Sequence, residues 1–130
     1  MTTKDATTLN AGTCLRGKVA VVTGAARGIG RAAAVAFARE GVDLVYIDTC
    51  ASVDPRSGAE PANSDDLKET QQLVEASGRR CPKIVLGQRN LPALRAAAED
   101  AGREFGGIDL LFADAGIQSF HPLLEMEDAD

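Results

Sequence analysis

Short, nearly continuous apolar runs alternate along this chain with longer stretches whose apolar residues recur every three or four positions. That alternation predicts strand, helix, strand, helix, strand, helix, strand. Residues 18–23 are rich in β-branched side chains with no polar alternation, which suits a strand buried on both faces of a parallel sheet. Residues 29–40 follow as a helix, its alanines supplying propensity and Ile29, Val35 and Phe37 its bulk. A second strand, 42–48, ends at Asp48. A helix over 64–77 is capped by Asn63 or Ser64, with Asp65 and Asp66 in its first turn and Leu67, Thr70, Leu73 and Val74 on one face. The third strand, 83–86, stands behind Pro82, a residue that can precede a central strand but not sit within one. Asn90 caps a helix over 91–105 that turns Leu94, Ala97, Ala98, Ala101 and Phe105 inward, and 108–113 is the fourth strand. Right-handed crossovers then give a doubly wound α/β sheet of order 3-2-1-4. Ligands of such sheets sit beyond the carboxyl ends of the strands, here between strands one and four.

Two stretches break the pattern. Residues 1–15 are polar and aperiodic, the expectation for a flexible leader, so the folded unit is taken as 16–130. Residues 49–63 form a loop of about fifteen residues, rich in Pro, Ser and Gly, where ~2–6 is usual. Long ordered loops are often functional; a tolerated surface insertion is the other reading.

Composition narrows the partners. The chain has 130 residues, 45% of them hydrophobic, enough for one domain without disulfides or metal. A net charge of −5 with both signs interspersed argues against a nucleic-acid partner and against an anionic membrane surface. No run approaches the ~20 apolar residues of a membrane span. Cys14, Cys50 and Cys81 are widely spaced without a Cys-x-x-Cys pair, the pattern of reduced thiols in a cytoplasmic protein.

The candidate chemistry lies where the first strand becomes the first helix, at Thr23-Gly24-Ala25-Ala26-Arg27-Gly28-Ile29-Gly30. A glycine-rich strand-to-helix turn leaves backbone N–H groups at a helix N-terminus, where the helix dipole also favours a phosphate. Gly24 permits the tight turn, Gly28 the close approach of a ligand, and Gly30 the packing of helix on strand. Glycines that merely turn the chain are the alternative. Asp48 lies about the ~20 residues further on at which a carboxylate can bind the adenosine ribose hydroxyls.

With these residues the chain resembles the short-chain dehydrogenase/reductase family, whose nucleotide motif Thr-Gly-x-x-x-Gly-x-Gly is complete at Thr23 to Gly30. A second family motif, Asn-Asn-Ala-Gly after the fourth strand, is approximated by Ala113-Asp114-Ala115-Gly116, with both asparagines replaced. The resemblance implies a Rossmann-type fold binding NAD, with Thr23, Gly24, Arg27, Gly28, Ile29, Gly30, Asp48, Asp114, Ala115 and Gly116 as cofactor contacts. NAD is expected over NADP because Asp48 would face a 2′-phosphate with like charge, although Arg27 is placed to serve such a phosphate. The adenine-binding aspartate usual after the third strand is replaced by Gly87. At Asp114, drift and a functional carboxylate are both open. The 49–63 loop resembles an insertion of some actinobacterial branches of the family, including dehydrogenases associated with mycofactocin.

The family's hydride-transfer chemistry uses a Ser and a Tyr-x-x-x-Lys pair. Tyr46 is the only tyrosine, and Cys50 stands where the lysine would be, so Tyr46 is expected in the core and no catalytic residue is assigned. The expectation is therefore a truncated Rossmann-type unit, the nucleotide-binding portion of an NAD-dependent oxidoreductase. A non-enzymatic dinucleotide- or partner-binding module, or one half of a split enzyme, is the alternative. Strand four would then carry an open edge, prone to self-association or to pairing with a complementary chain.

Overall fold

The computed structural model describes residues 15–118 and 120–128; the expected leader lies outside them except for Leu15. Among these residues, β1 (Val19–Thr23), β2 (Asp43–Asp48), β3 (Lys83–Val85) and β4 (Leu110–Ala113) form one sheet in the order β3-β2-β1-β4. Every pairing is parallel, with Val21 opposite both Val45 and Leu111 and with Ile47 opposite Ile84. Three helices make the crossovers: α1 (Gly28–Arg39), α2 (Ser64–Glu75) and α3 (Leu91–Phe105). This is the Rossmann-type architecture and strand order that the apolar runs predict.

The twofold period of the strands divides the core in two. Ala20, Val22, Leu44 and Tyr46 point to one face, where Ala34 and Ala38 of α1 and Leu67 and Val74 of α2 cover them. Val21, Val45 and Ile47 point to the other, against Ala101, Leu94 and Phe105 of α3. β1 is buried along its whole length, which explains why its sequence shows no polar alternation. Small side chains let α1 approach closely, while its Phe37 meets Phe112 of β4 edge-on, ring centroids 6.1 Å apart.

Three details differ from expectation. Leu73 is exposed. The inward arc of α2 is set by Leu67, Thr70 and Val74, and at about 100° per residue Leu73 falls outside it. Ala98 is exposed because α3 is the one described helix on its face and leaves a hollow of about 400 Å³ beside it, bordered by Ile108, Leu111 and Ala113. The fourth strand starts at Leu110, not Ile108. Asp109 instead turns its carboxylate to accept the Val19 N–H at 2.9 Å and bonds Lys18 at 3.3 Å.

A polar tie crosses the lower end of the sheet. Asp43, at the start of β2, accepts hydrogen bonds from the Arg80 backbone at 3.1 Å and from its guanidinium at 2.8 and 3.3 Å. The same guanidinium stands 4.3 Å from the centre of the Phe105 ring, linking β2 to the end of α3. Burial works against ionisation of Asp43, but the bonds and charge of Arg80 outweigh it and hold the carboxyl below its usual 3.8. A depressed folded-state pKa contributes stability that is complete above the unfolded value and is lost as pH falls through the folded one. Thermal melts between about pH 6 and about pH 2.5 are expected to show this loss below the usual aspartate value. In Asp43→Asn that component should vanish from the difference profile, while the similarly lowered Asp109 leaves its own part in place.

Candidate functional site

Between β1 and α1 the backbone makes a turn that only glycine fits at two places. A methyl on Gly24, which has φ +70°, would stand 2.9 Å from the Ala115 Cα, and one on Gly30 would stand 2.1 Å from the Gly24 carbonyl oxygen. The first approach seats the second motif on the first; the second seats α1 on the end of β1. Gly28, with φ +61°, has no atom within 4 Å of where its Cβ would be, so its constraint comes from backbone conformation and from what can approach it.

Side chains and backbone then lock the turn to its neighbours. The Thr23 hydroxyl accepts the Ala115 N–H at 3.2 Å. Asp48 accepts the Ala26 N–H at 3.1 Å through one carboxylate oxygen and the Cys50 N–H at 2.9 Å through the other. From the opposite side, Arg31 donates to the Ala26 carbonyl from Nε at 3.1 Å and from Nη2 at 2.7 Å. Its guanidinium also reaches the Asp66 carbonyl at 2.8 Å and the Glu69 carboxylate at 2.9 Å, both on α2. The buried Thr70 hydroxyl donates toward the Ala25 carbonyl at 2.9 Å and accepts from Arg31 at 3.0 Å.

The three helices begin differently. α2 opens on a capping box in which Asn63 accepts from Asp65 and Asp66 while the Asp66 side chain accepts the Asn63 N–H, and α3 is capped by Asn90. α1 begins at Arg27 with no side-chain cap and no acidic residue in its first turn. Its first N–H groups and the positive end of its dipole are therefore left for an acceptor of another kind.

Beside this turn runs a cleft of about 1150 Å³ beyond the carboxyl ends of the strands, lined by Gly24, Arg27, Asp48, Gly87, Asp114 and Gly116 among others. Ala115 lines it too, as does much of the 49–63 loop, which carries a 3-10 turn, Pro55–Ser57, capped by Asp54. Thr23 and Gly30 lie beneath it, buried, and Gly28 and Ile29 stand exposed at the start of α1. Gly87 has room for a side chain, the nearest atom to an added Cβ being the Thr49 hydroxyl at 3.8 Å.

The sequence reading missed Arg31 and gave Thr70 only a core role. A basic residue directly after the third glycine was the available signal, but its partners lie on another helix. Tyr46 is fully buried, as expected, with its hydroxyl facing inward and without a hydrogen-bond partner. Burial, with the Cys81 thiol beside it, pushes the phenol far above its ordinary value, so it is no acid–base group. No described helix is long and apolar enough to cross a membrane.

Residues 18–130 match the sequence profile of the short chain dehydrogenase family. The chain belongs to that family. It is 43% identical over 117 residues to an uncharacterized NAD-dependent oxidoreductase of Mycobacterium tuberculosis, covering 90% of this chain and 42% of that protein. A short chain dehydrogenase from Mycobacterium paratuberculosis, solved bound to NAD, superposes with a TM-score of 0.84 at 38% identity, covering 88% of this chain and 42% of the other. Carveol dehydrogenase from Mycobacterium avium, solved with NAD, gives 0.83 at 34% identity, covering 88% and 41%. This short-chain dehydrogenase sequence thus spans about two fifths of the length of the relatives it matches.

The packing at Gly30 can be tested directly. Gly30→Ala drives a methyl into backbone and is expected to cost about 3 kcal/mol in denaturant unfolding, the upper range of overpacking. Gly28→Ala, which meets no atom and bears only the left-handed strain, should cost about 1 kcal/mol. Equal losses for the two would show that the turn relaxes away from α1.

Proposed function

We propose that residues 16–130 form the nucleotide-binding portion of an NAD-dependent short-chain dehydrogenase. The observation that carries this reading is the contact of the two motifs: Gly24 against Ala115, with Asp48 bonded to the turn between them, all at one cleft. The residues fit a dinucleotide. The uncapped start of α1 and the Gly28 backbone would take the pyrophosphate, Asp48 the adenosine ribose, and Asp114, Ala115 and Gly116 the nicotinamide ribose. When bound, the nicotinamide supplies hydride exchange with a carbonyl or alcohol carbon. The chain's own residues bind and orient: Asp48 is pinned by two backbone N–H groups at the rim, and Thr23 holds the second motif at a fixed distance. Arg27 at the positive end of the α1 dipole is unfavourable alone and becomes favourable opposite a phosphate.

NAD is preferred to NADP in this reading, since Asp48 would meet a 2′-phosphate with like charge, a cost of several kcal/mol at close range. Calorimetry is expected to give NAD the lower dissociation constant, and Asp48→Ala to narrow the gap; equal affinities in the parent chain would overturn the preference. Binding should be weakened about tenfold, because Gly87 offers the adenine no carboxylate. Gly87→Asp, for which there is space beside Thr49, should tighten it.

A second reading concerns β4, which pairs with β1 on one side and with no described strand on the other. Leu111 is 68% exposed there, next to the apolar hollow beneath α3. No Lys, Pro or bulge blunts this edge. We infer that the 130-residue chain self-associates along β4 or takes a complementary chain there. Size-exclusion chromatography with light scattering at micromolar concentration should show association, reduced in Leu111→Lys; a monomer with a cooperative thermal transition would refute it.

A further inference from the structure

We propose that Arg31 is a positioning residue of the phosphate cradle, acting on a ligand it does not touch by fixing the orientation of the Ala26–Arg27 peptide. The proposal rests on the dinucleotide reading of the cleft and adds to it the device that aims the turn.

Nε and Nη2 of Arg31 converge on the Ala26 carbonyl at 3.1 and 2.7 Å, a planar fork closed on a single oxygen. The Thr70 hydroxyl adds a contact to the same oxygen at 3.2 Å. In a trans peptide the C=O and the following N–H point in opposite directions. Drawing the Ala26 carbonyl toward α2 therefore turns the Arg27 N–H away from α2, and Arg27 lines the cleft while Arg31 does not. No described residue accepts the Arg27 N–H. The peptide before it is held by the Asp48 bond to the Ala26 N–H and, at the Ala25 carbonyl, by the Thr70 hydroxyl at 2.9 Å. Asp48 from β2 thus acts on the first of two consecutive peptides and Arg31 from α1 on the second, while Thr70 of α2 touches both carbonyls. The brace is firm: the Arg31 side chain is 22% exposed, and two further donors are taken by the Asp66 carbonyl and the Glu69 carboxylate. Nothing else in the first turn of α1 performs this function, since that helix lacks a side-chain cap.

A purely structural clamp between α1 and α2 would lower stability and weaken every ligand alike. A positioning role predicts a selective loss for ligands that carry phosphate, because the ribose contact at Asp48 does not pass through Arg31. The full chain is titrated with ADP and with adenosine, monitored by amide chemical shifts, with thermal melts in parallel. In Arg31→Met the ADP affinity should fall about tenfold, while adenosine affinity stays within about twofold and the Arg27 and Gly28 amide resonances move in the free protein. Arg31→Lys, which keeps the charge without the fork, should fail to restore ADP binding. Should Arg31→Met not fold, Arg31→Gln, which keeps an amide donor for the polar groups around it but not the fork, should lower ADP affinity about threefold, again sparing adenosine. Unchanged ADP affinity, parallel losses of ADP and adenosine, or full rescue by lysine would each overturn the proposal. If the parent chain bound neither ADP nor adenosine, the reading of the cleft would fail first and this inference with it.

Discussion

The start of α1 lies so close against the end of β1 that a methyl on Gly30 would stand 2.1 Å from the Gly24 carbonyl, and the cleft takes its form from that approach. A helix seated so tightly on the strand must enter its first turn immediately, so its N–H groups emerge level with the end of the sheet. The same turn exposes Gly24 to Ala115 at van der Waals limit, which brings β4 and its following residues to the same place. Two segments about ninety residues apart are joined by a contact that no side chain could enter, with the Thr23–Ala115 bond of 3.2 Å as its polar counterpart.

Much of this was legible because the signals are local. β1 and β2 are apolar without alternation, and parallel burial explains them; Asn63, Asp66 and Asn90 announce the starts of α2 and α3 within four residues. The glycine spacing and the distance to Asp48 were likewise readable along the chain. Arg31 was not, because its bond to Thr70 spans 39 residues and depends on how α1 packs on α2. Leu73 and Ala98 were misread for a related reason: helical periodicity identifies an apolar face but not how wide an arc the neighbours cover.

The two sides of the sheet are unequal. α1 and α2 together enclose Leu44, Tyr46 and Leu67 completely, whereas α3 covers Val21 and Val45 but leaves Leu111 open. The first side holds the glycine turn and its braces, so that turn rests on the better-packed half of the molecule. That half tolerates an unpartnered phenol hydroxyl on Tyr46, a cost of about 1–3 kcal/mol that the surrounding burial outweighs.

The contrast in helix beginnings has a thermodynamic meaning. α2 and α3 close their own first turns with Asn63, Asp66 and Asn90, so their ends are complete whatever the solution contains. α1 has no such closure of its own, and an anion seated at its start would finish the helix. Folding and occupancy then become one coupled equilibrium: at a hundredfold excess over Kd a ligand adds about 2.7 kcal/mol to the folded state. Where an anion is seated there, the melting temperature becomes a property of the chain together with the ligand concentration around it.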